Sequence, residues 1–298
     1  MHFCIGLDAI NIPKEPIMIN FPTLSLGKIF VSEQGDRFLA TKTGWRNTAT
    51  GQIIVPDSKS TMPTVAAVTR VGPKVAVKNL STVVTDAQVT AAVAALQIQL
   101  DRDWQPVWGT TATLAAYKKT QAIPSTSWVI YIMDNSDYAG ALGYHDENAF
   151  YKPYGKVFAK TAKNYGYSWT VTLSHEMLEM MADPYINLTV FNQDTNTTGL
   201  LYAYEVCDAC EADAFGYRIN NVLLSDFVYP AWFDYYQTAP GTRYNYRNTI
   251  TAPFQLLGGG YIGVFDVAAG SGWTTINARG EMGPADKTNF RDRRFRHK

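Results

Sequence analysis

The chain has 298 residues, 46% hydrophobic and 17% charged, enough to bury one large core or two modest ones. Its 26 basic residues balance its 26 acidic ones, which argues against nucleic acid as a general partner. Three cysteines in this length exclude a disulfide framework, and no apolar run is long enough to span a membrane as a helix.

Met1-His2-Phe3-Cys4-Ile5-Gly6 lacks the basic and apolar regions of a secretory signal. A cytoplasmic or virion-associated protein is therefore expected. Residues 1–72 carry short β-like runs at 28–31, 52–55 and 65–68, separated by Gly, Pro, Asn and Asp turns. They read as a β-rich N-terminal accessory region. A body spans 73–270, opening with a strand at 74–77. Thr85 is placed to cap a helix from Asp86 to about Trp104, with Val89, Ala92, Val93, Leu96 and Leu100 at helical spacing. Trp128–Met133 reads as a buried strand, and 139–144 and 156–159 as further, more exposed ones. A second helix runs from about Trp169 to Asp183, stopped by Pro184. Gly258-Gly259-Gly260 reads as a turn. Residues 271–298 form a C-terminal tail whose end, 291–298, is basic and reads as a solubilising terminus.

The second helix carries the most informative run, Ser174-His175-Glu176-Met177-Leu178-Glu179-Met180-Met181-Ala182-Asp183-Pro184. At about 100° per residue, His175, Glu179 and Asp183 drift only about 40° per step and share one stripe, with Glu176 beside it. Two ligand-capable groups four apart, with a carboxylate directly after the first, is the spacing of the H-E-x-x-H zinc-hydrolase helix. Glu179 stands where the second histidine would be. The plain alternative is a core helix whose His-Glu-x-x-Glu faces solvent. Against it, the helix is apolar elsewhere, the chain has only four histidines, and buried charges need partners or a metal.

Downstream, Tyr204-Glu205-Val206-Cys207-Asp208-Ala209-Cys210-Glu211-Ala212-Asp213 concentrates carboxylates and thiols. Such helices need a third ligand from later in the chain, and Glu205 and Asp208 are the candidates, following the apolar run 200–204. Cys207 and Cys210 lack the second Cys or His pair of a zinc knuckle. Reduced, partly buried thiols are expected, with a local disulfide as the alternative. His145, in the Gly- and aromatic-rich stretch 140–146, reads as an edge-strand residue above a cleft. It is either structurally hydrogen-bonded or able to complete the metal site and polarise a substrate carbonyl. Tyr144, Tyr202 and Tyr217 are possible oxyanion donors.

The run S-H-E-x-x-E-x-x-x-D-P followed by E-x-x-D-x-C resembles a family of zincin-like proteins of bacteria and phages, and similar segments occur in secreted metallopeptidase-like and phosphate-induced plant proteins. The similarity extends over roughly residues 75–270, including Pro106-Val107-Trp108-Gly109 and Ser225-Asp226-Phe227-Val228-Tyr229-Pro230. It implies an α+β, zincin-like fold: a mixed twisted sheet packed on helices, with the metal helix in the cleft. It also implies that His175 and Glu179 lie on the active-site helix, with Glu176 as general base. It implies no substrate.

The expected activity is metal-dependent hydrolysis of a peptide or protein. His175, Glu179 and Glu205 or Asp208 would hold Zn²⁺, and Glu176, helped by His145, would move protons. Asp183 would support the ligands from behind. A carboxylate-rich set also admits Mn²⁺ or Ca²⁺. The rival expectation is a structural virion or assembly protein that keeps an inactive metal site. Homo-oligomer or virion-subunit contacts would then replace a substrate.

Overall fold

The computed structural model describes residues 72–284 apart from 139, 140, 194, 196, 197 and 271, together with the backbone of four earlier strands. The chain divides into two compact units, 1–68 and 69–298. In the first, β1 (Ile29–Val31), β2 (Arg37–Thr41), β3 (Gly44–Asn47) and β4 (Ile53–Ile54) pair antiparallel in chain order. The runs expected at 65–68 and 291–298 lie outside the described residues.

The second unit opens with β5 (Lys74–Asn79), an internal strand whose successive residues Val75, Ala76 and Val77 are buried on both faces of the sheet. Helix α1 (Asp86–Ile98) starts at a capping box. The Thr85 hydroxyl accepts from the Gln88 N–H at 3.2 Å, and the Gln88 side chain accepts from the Thr85 N–H at 2.9 Å. Val89, Ala92, Val93 and Leu96 form its buried stripe. The helix continues as a π-helical segment, Gln99–Trp104, and ends in the single turn α2 (Gln105–Trp108). Gly109 closes it in the left-handed region at φ +74°.

β6 (Thr113–Tyr117), β7 (Trp128–Met133), β8 (Gly143–Glu147) and β9 (Pro153–Phe158) complete a five-stranded sheet in the order β6-β5-β7-β9-β8. The four strands β6, β5, β7 and β9 run parallel, and β8 is an antiparallel edge strand on β9. Two expectations shift here. The strand placed at 139–144 runs instead from 143 to 147, because its pairing with β9 brings His145 opposite Gly155. The strand expected to be exposed near 156–159 begins at Pro153, and Val157 and Phe158 are fully buried where β9 runs into α3 (Ala159–Asn164) and packs on α4 (Trp169–Ala182).

Helix α4 (Trp169–Ala182) packs on β8, β9 and the later hairpin, so little of its circumference meets solvent. Leu173, Met177, Leu178 and Met180 are all 0% exposed, each stabilising the fold by roughly 1.5–3 kcal/mol. The Asp183 carboxylate shapes the exit turn by accepting from the N–H groups of Asn187 at 3.0 Å and Leu188 at 2.9 Å. Beyond it lies a second sheet, wholly antiparallel, in the order β10-β11-β14-β15-β16. Its strands are β10 (Thr189–Gln193), β11 (Gly199–Ala203), β14 (Tyr261–Asp266), β15 (Trp273–Asn277) and β16 (Met282–Pro284). A separate hairpin joins β12 (Tyr217–Ile219) to β13 (Val222–Leu224). The sheet thus continues past residue 270. One apolar core unites α1, α4, β5, β7, Val206, Phe227, Trp232 and Val264.

In the segment after β13, Asp226 is fully buried. It accepts from the N–H groups of Phe227 at 2.8 Å and Arg247 at 3.1 Å, and from the Asn245 amide. Burial pushes its pKa up to about 6, against the pull of those donors. The folded state therefore binds the proton more tightly than the unfolded chain. Asp226 favours folding below about pH 4, and that contribution is lost as pH rises through about 6. Asp226→Asn, which cannot ionise, should gain on wild type by roughly 2–3 kcal/mol between about pH 4 and pH 7. Urea denaturation at the two pH values measures it; a pH-independent difference would contradict the assignment.

Candidate metal centre

Three segments converge: the middle of α4, the edge strand β8, and the segment 205–211 after β11. That last segment is fixed by its own main chain. Val228 N–H donates to the Val206 carbonyl at 2.8 Å, Cys210 N–H to that of Cys207 at 3.0 Å, and Leu257 N–H to that of Ala209 at 2.9 Å. Asp208–Cys210 forms a 3₁₀ turn. Gly260 lets the start of β14 approach it, since a Cβ there would lie 2.4 Å from the Ala209 carbonyl oxygen.

His175 and Glu179, one turn apart on α4, meet at 3.0 Å between Nε2 and Oε2. Asp208 Oδ1 lies 3.1 Å from the same nitrogen. The other oxygen of Glu179 accepts from the Cys207 N–H at 3.1 Å, which orients the carboxylate. His145 enters from β8, its Nδ1 3.4 Å from Glu176 Oε2 and 3.8 Å from Glu179 Oε2. Glu205 Oε2 faces the opposite ring nitrogen at 4.0 Å. Of the two downstream candidates, Asp208 therefore stands against His175 and Glu205 against His145. Asp183, one helical turn further on, accepts two hydrogen bonds from its own exit turn.

Two residues join this set without having been singled out in the sequence. Glu211 groups with His175 and Asp208, ligand-capable atoms all within 4.8 Å of one another. In a 3₁₀ turn residues i and i+3 eclipse, which brings Glu211 to the side of Asp208. Tyr261 of β14 lies against the same acids, which together with burial hold its hydroxyl well above the usual phenol range. Of the tyrosines named as oxyanion donors, Tyr217 donates to Asp103 at 2.9 Å and Tyr144 to Asp137 at 3.2 Å, while the Tyr202 ring packs on Phe254. Cys207 and Cys210 are free and buried; burial and the neighbouring carboxylates push both thiols well up.

The electrostatics are those of buried acids crowded around two imidazoles. Glu176, Glu179 and Glu205 face His145, and Glu179 and Asp208 face His175. Burial pushes Glu179 up to about 8, with Asp208 and Glu176 adding to the effect and His175 opposing it. Glu211 is pushed up to about 8, by burial first and Asp208 next. Burial by itself would depress His175, but Glu179 and Asp208 hold it well above its ordinary value. A polar atom also lies stranded: His145 Nε2 is buried and makes no hydrogen bond. Buried carboxylates around two imidazoles, one with an unused ring nitrogen, suit a divalent cation in chemistry and in placement.

Gly143 sets the approach of β8 to α4. A Cβ there would lie 2.5 Å from the Thr172 methyl and 2.8 Å from Glu176 Oε1. Gly143→Ala should therefore push β8 away from the helix and cost about 1–3 kcal/mol by overpacking. Thermal melting checks this, and an unchanged midpoint would show that the strand can give way freely.

The chain has no match among protein-family models, curated proteins or solved structures. No helix among the described residues is long and apolar enough to cross a membrane.

Proposed function

We propose that this protein is a metal-dependent hydrolase of zincin-like type that cleaves peptide bonds. The observation that carries the reading is the convergence of Glu179 and Asp208 on His175 Nε2, at 3.0 and 3.1 Å, beside a helix-borne Glu176. The mixed sheet, with its antiparallel edge strand lying along the motif helix, supports it.

His175, Glu179 and Asp208 would hold the ion, with Glu211 at hand as a further oxygen donor. One nitrogen among carboxylates suits Zn²⁺ and also the harder Mn²⁺ or Ca²⁺. A bound ion would supply Lewis acidity toward the scissile carbonyl and acidify the attacking water. Glu176 would act as general base and then hand a proton to the leaving amine. His145 Nδ1 steers the Glu176 carboxylate. β8, the last strand of the described sheet, would offer main-chain groups to an extended peptide.

A structural metal site is the second reading, and closure of the cluster favours it. Side-chain exposure is 12% at His175 and 14% at Glu205, and 4–8% at Glu176, Glu179 and Asp208. A peptide-library digest decides between them. Cleavage abolished by a chelator and restored by Zn²⁺ is expected; no cleavage by the Zn²⁺-replete protein would leave the structural role.

A further inference from the structure

We infer that the cluster is built as two adjoining cation sites sharing Glu179, one headed by His175 and one by His145. The inference rests on the metal-site reading above and extends it to a second ion.

The two histidines belong to separate ligand groups. Ligand-capable atoms of His175, Asp208 and Glu211 lie within 4.8 Å of one another, and so do those of His145, Glu176 and Glu179. No group of this kind among the described residues contains both imidazoles. Glu179 Oε2 lies between them, 3.0 Å from His175 Nε2 and 3.8 Å from His145 Nδ1. A carboxylate so placed can serve both ions.

Charge points the same way. A single dication beside His175 is outweighed by Glu179, Asp208 and Glu211 together, and it leaves the buried Glu176 against His145. A second dication at His145 would offset that carboxylate. The independent sign is His145 itself, 7% exposed, with a ring nitrogen that makes no hydrogen bond and faces the Glu205 carboxylate at 4.0 Å. Buried histidines ordinarily use both nitrogens. The ligating atom of this site is His145 Nδ1, turned to Glu176 and Glu179 at 3.4 and 3.8 Å, while Nε2 on the opposite edge would carry the ring proton toward Glu205, the usual arrangement behind a metal-bound imidazole.

The second ion has a regulatory consequence. Glu176 cannot ligate a cation and accept a proton at once, so filling the His145 site removes the general base. Hydrolysis should rise with the first equivalent of metal and fall with the second.

The test is the stoichiometry of Zn²⁺ on the full chain, stripped by chelator and titrated calorimetrically, with bound zinc counted by mass spectrometry after gel filtration. Wild type should bind two ions per chain in two resolvable steps. His145→Ala, and the gentler His145→Asn in case the alanine variant misfolds, should bind one. A single ion on wild type, or two retained on both folded His145 variants, would overturn the two-site inference while leaving the His175 site standing. Absence of any bound zinc would overturn the metal reading itself.

Discussion

Glu176→Gln, assayed at one equivalent of Zn²⁺, is expected to lower peptide hydrolysis by about 10²–10⁴-fold, or about 3–5 kcal/mol of barrier. Glutamine matches glutamate in volume, so the close packing against Gly143 and Thr172 survives. What disappears is the basic oxygen 3.4 Å from His145 Nδ1. Because His175, Glu179 and Asp208 are untouched, the first equivalent of metal should still bind. That split separates a proton acceptor from a merely structural carboxylate, whose loss would lower metal affinity or melting temperature at unchanged turnover per bound ion. Wild-type turnover in the variant would remove Glu176 from the mechanism.

Gln99→Leu should be the most damaging substitution outside the candidate metal centre. Gln99 is 0% exposed and opens the π-helical segment after α1. Its amide donates to the Tyr217 hydroxyl at 2.9 Å and the Ser225 carbonyl at 2.8 Å, and accepts from the Ser174 hydroxyl at 2.7 Å. Ser174 in turn accepts from the Ser225 N–H at 3.1 Å. Tyr217 continues the chain to Asp103, which holds Arg102 at 2.6 and 2.7 Å. Leucine fills the space but strands buried partners, at about 1–3 kcal/mol for each. Because Tyr217 keeps its bond to Asp103 and Ser174 its bond from Ser225, the low end applies, and a total near 3–5 kcal/mol corresponds to a fall in melting temperature on the order of 10 °C. Since Ser174 immediately precedes His175, zinc affinity should weaken as well. A melting point within about 2 °C of wild type would show that water or side-chain shifts rescue the network.

What the sequence revealed followed the range of the interactions involved. His175, Glu176 and Glu179 were legible because their relation is local, one helical turn, and survives whatever the helix packs against. The same holds for α1, whose cap and apolar stripe lie in adjacent turns, and for β7, a continuous apolar run. The partnership of His145 with Glu176 was not legible as a contact, because it depends on β8 lying against α4 at Gly143, thirty-odd residues away from that glutamate. The register of β8 misled for a related reason. Its residues Tyr144, His145 and Asp146 are polar or amphipathic, and pairing with β9 rather than burial of an apolar face defines it. In β9, the buried Gly155 and the half-buried Tyr154 and Lys156 break the apolar run that would announce a buried strand. The second sheet joins β11 to β14 across some sixty residues with no alternation strong enough to announce the pairing. Glu211 was visible as an acid but not as a member of the site, since its approach to Asp208 comes from a 3₁₀ turn rather than an α-helix.

The central claim is that His175, Glu179 and Asp208 hold a metal ion, and metal content tests it most directly. Protein purified under Zn²⁺-replete conditions, wild type alongside His175→Ala and Asp208→Asn, is analysed by inductively coupled plasma mass spectrometry. The account predicts at least near-stoichiometric zinc in wild type and a loss of about one equivalent in each variant. Wild type free of metal, or variants that retain all of it, would contradict it.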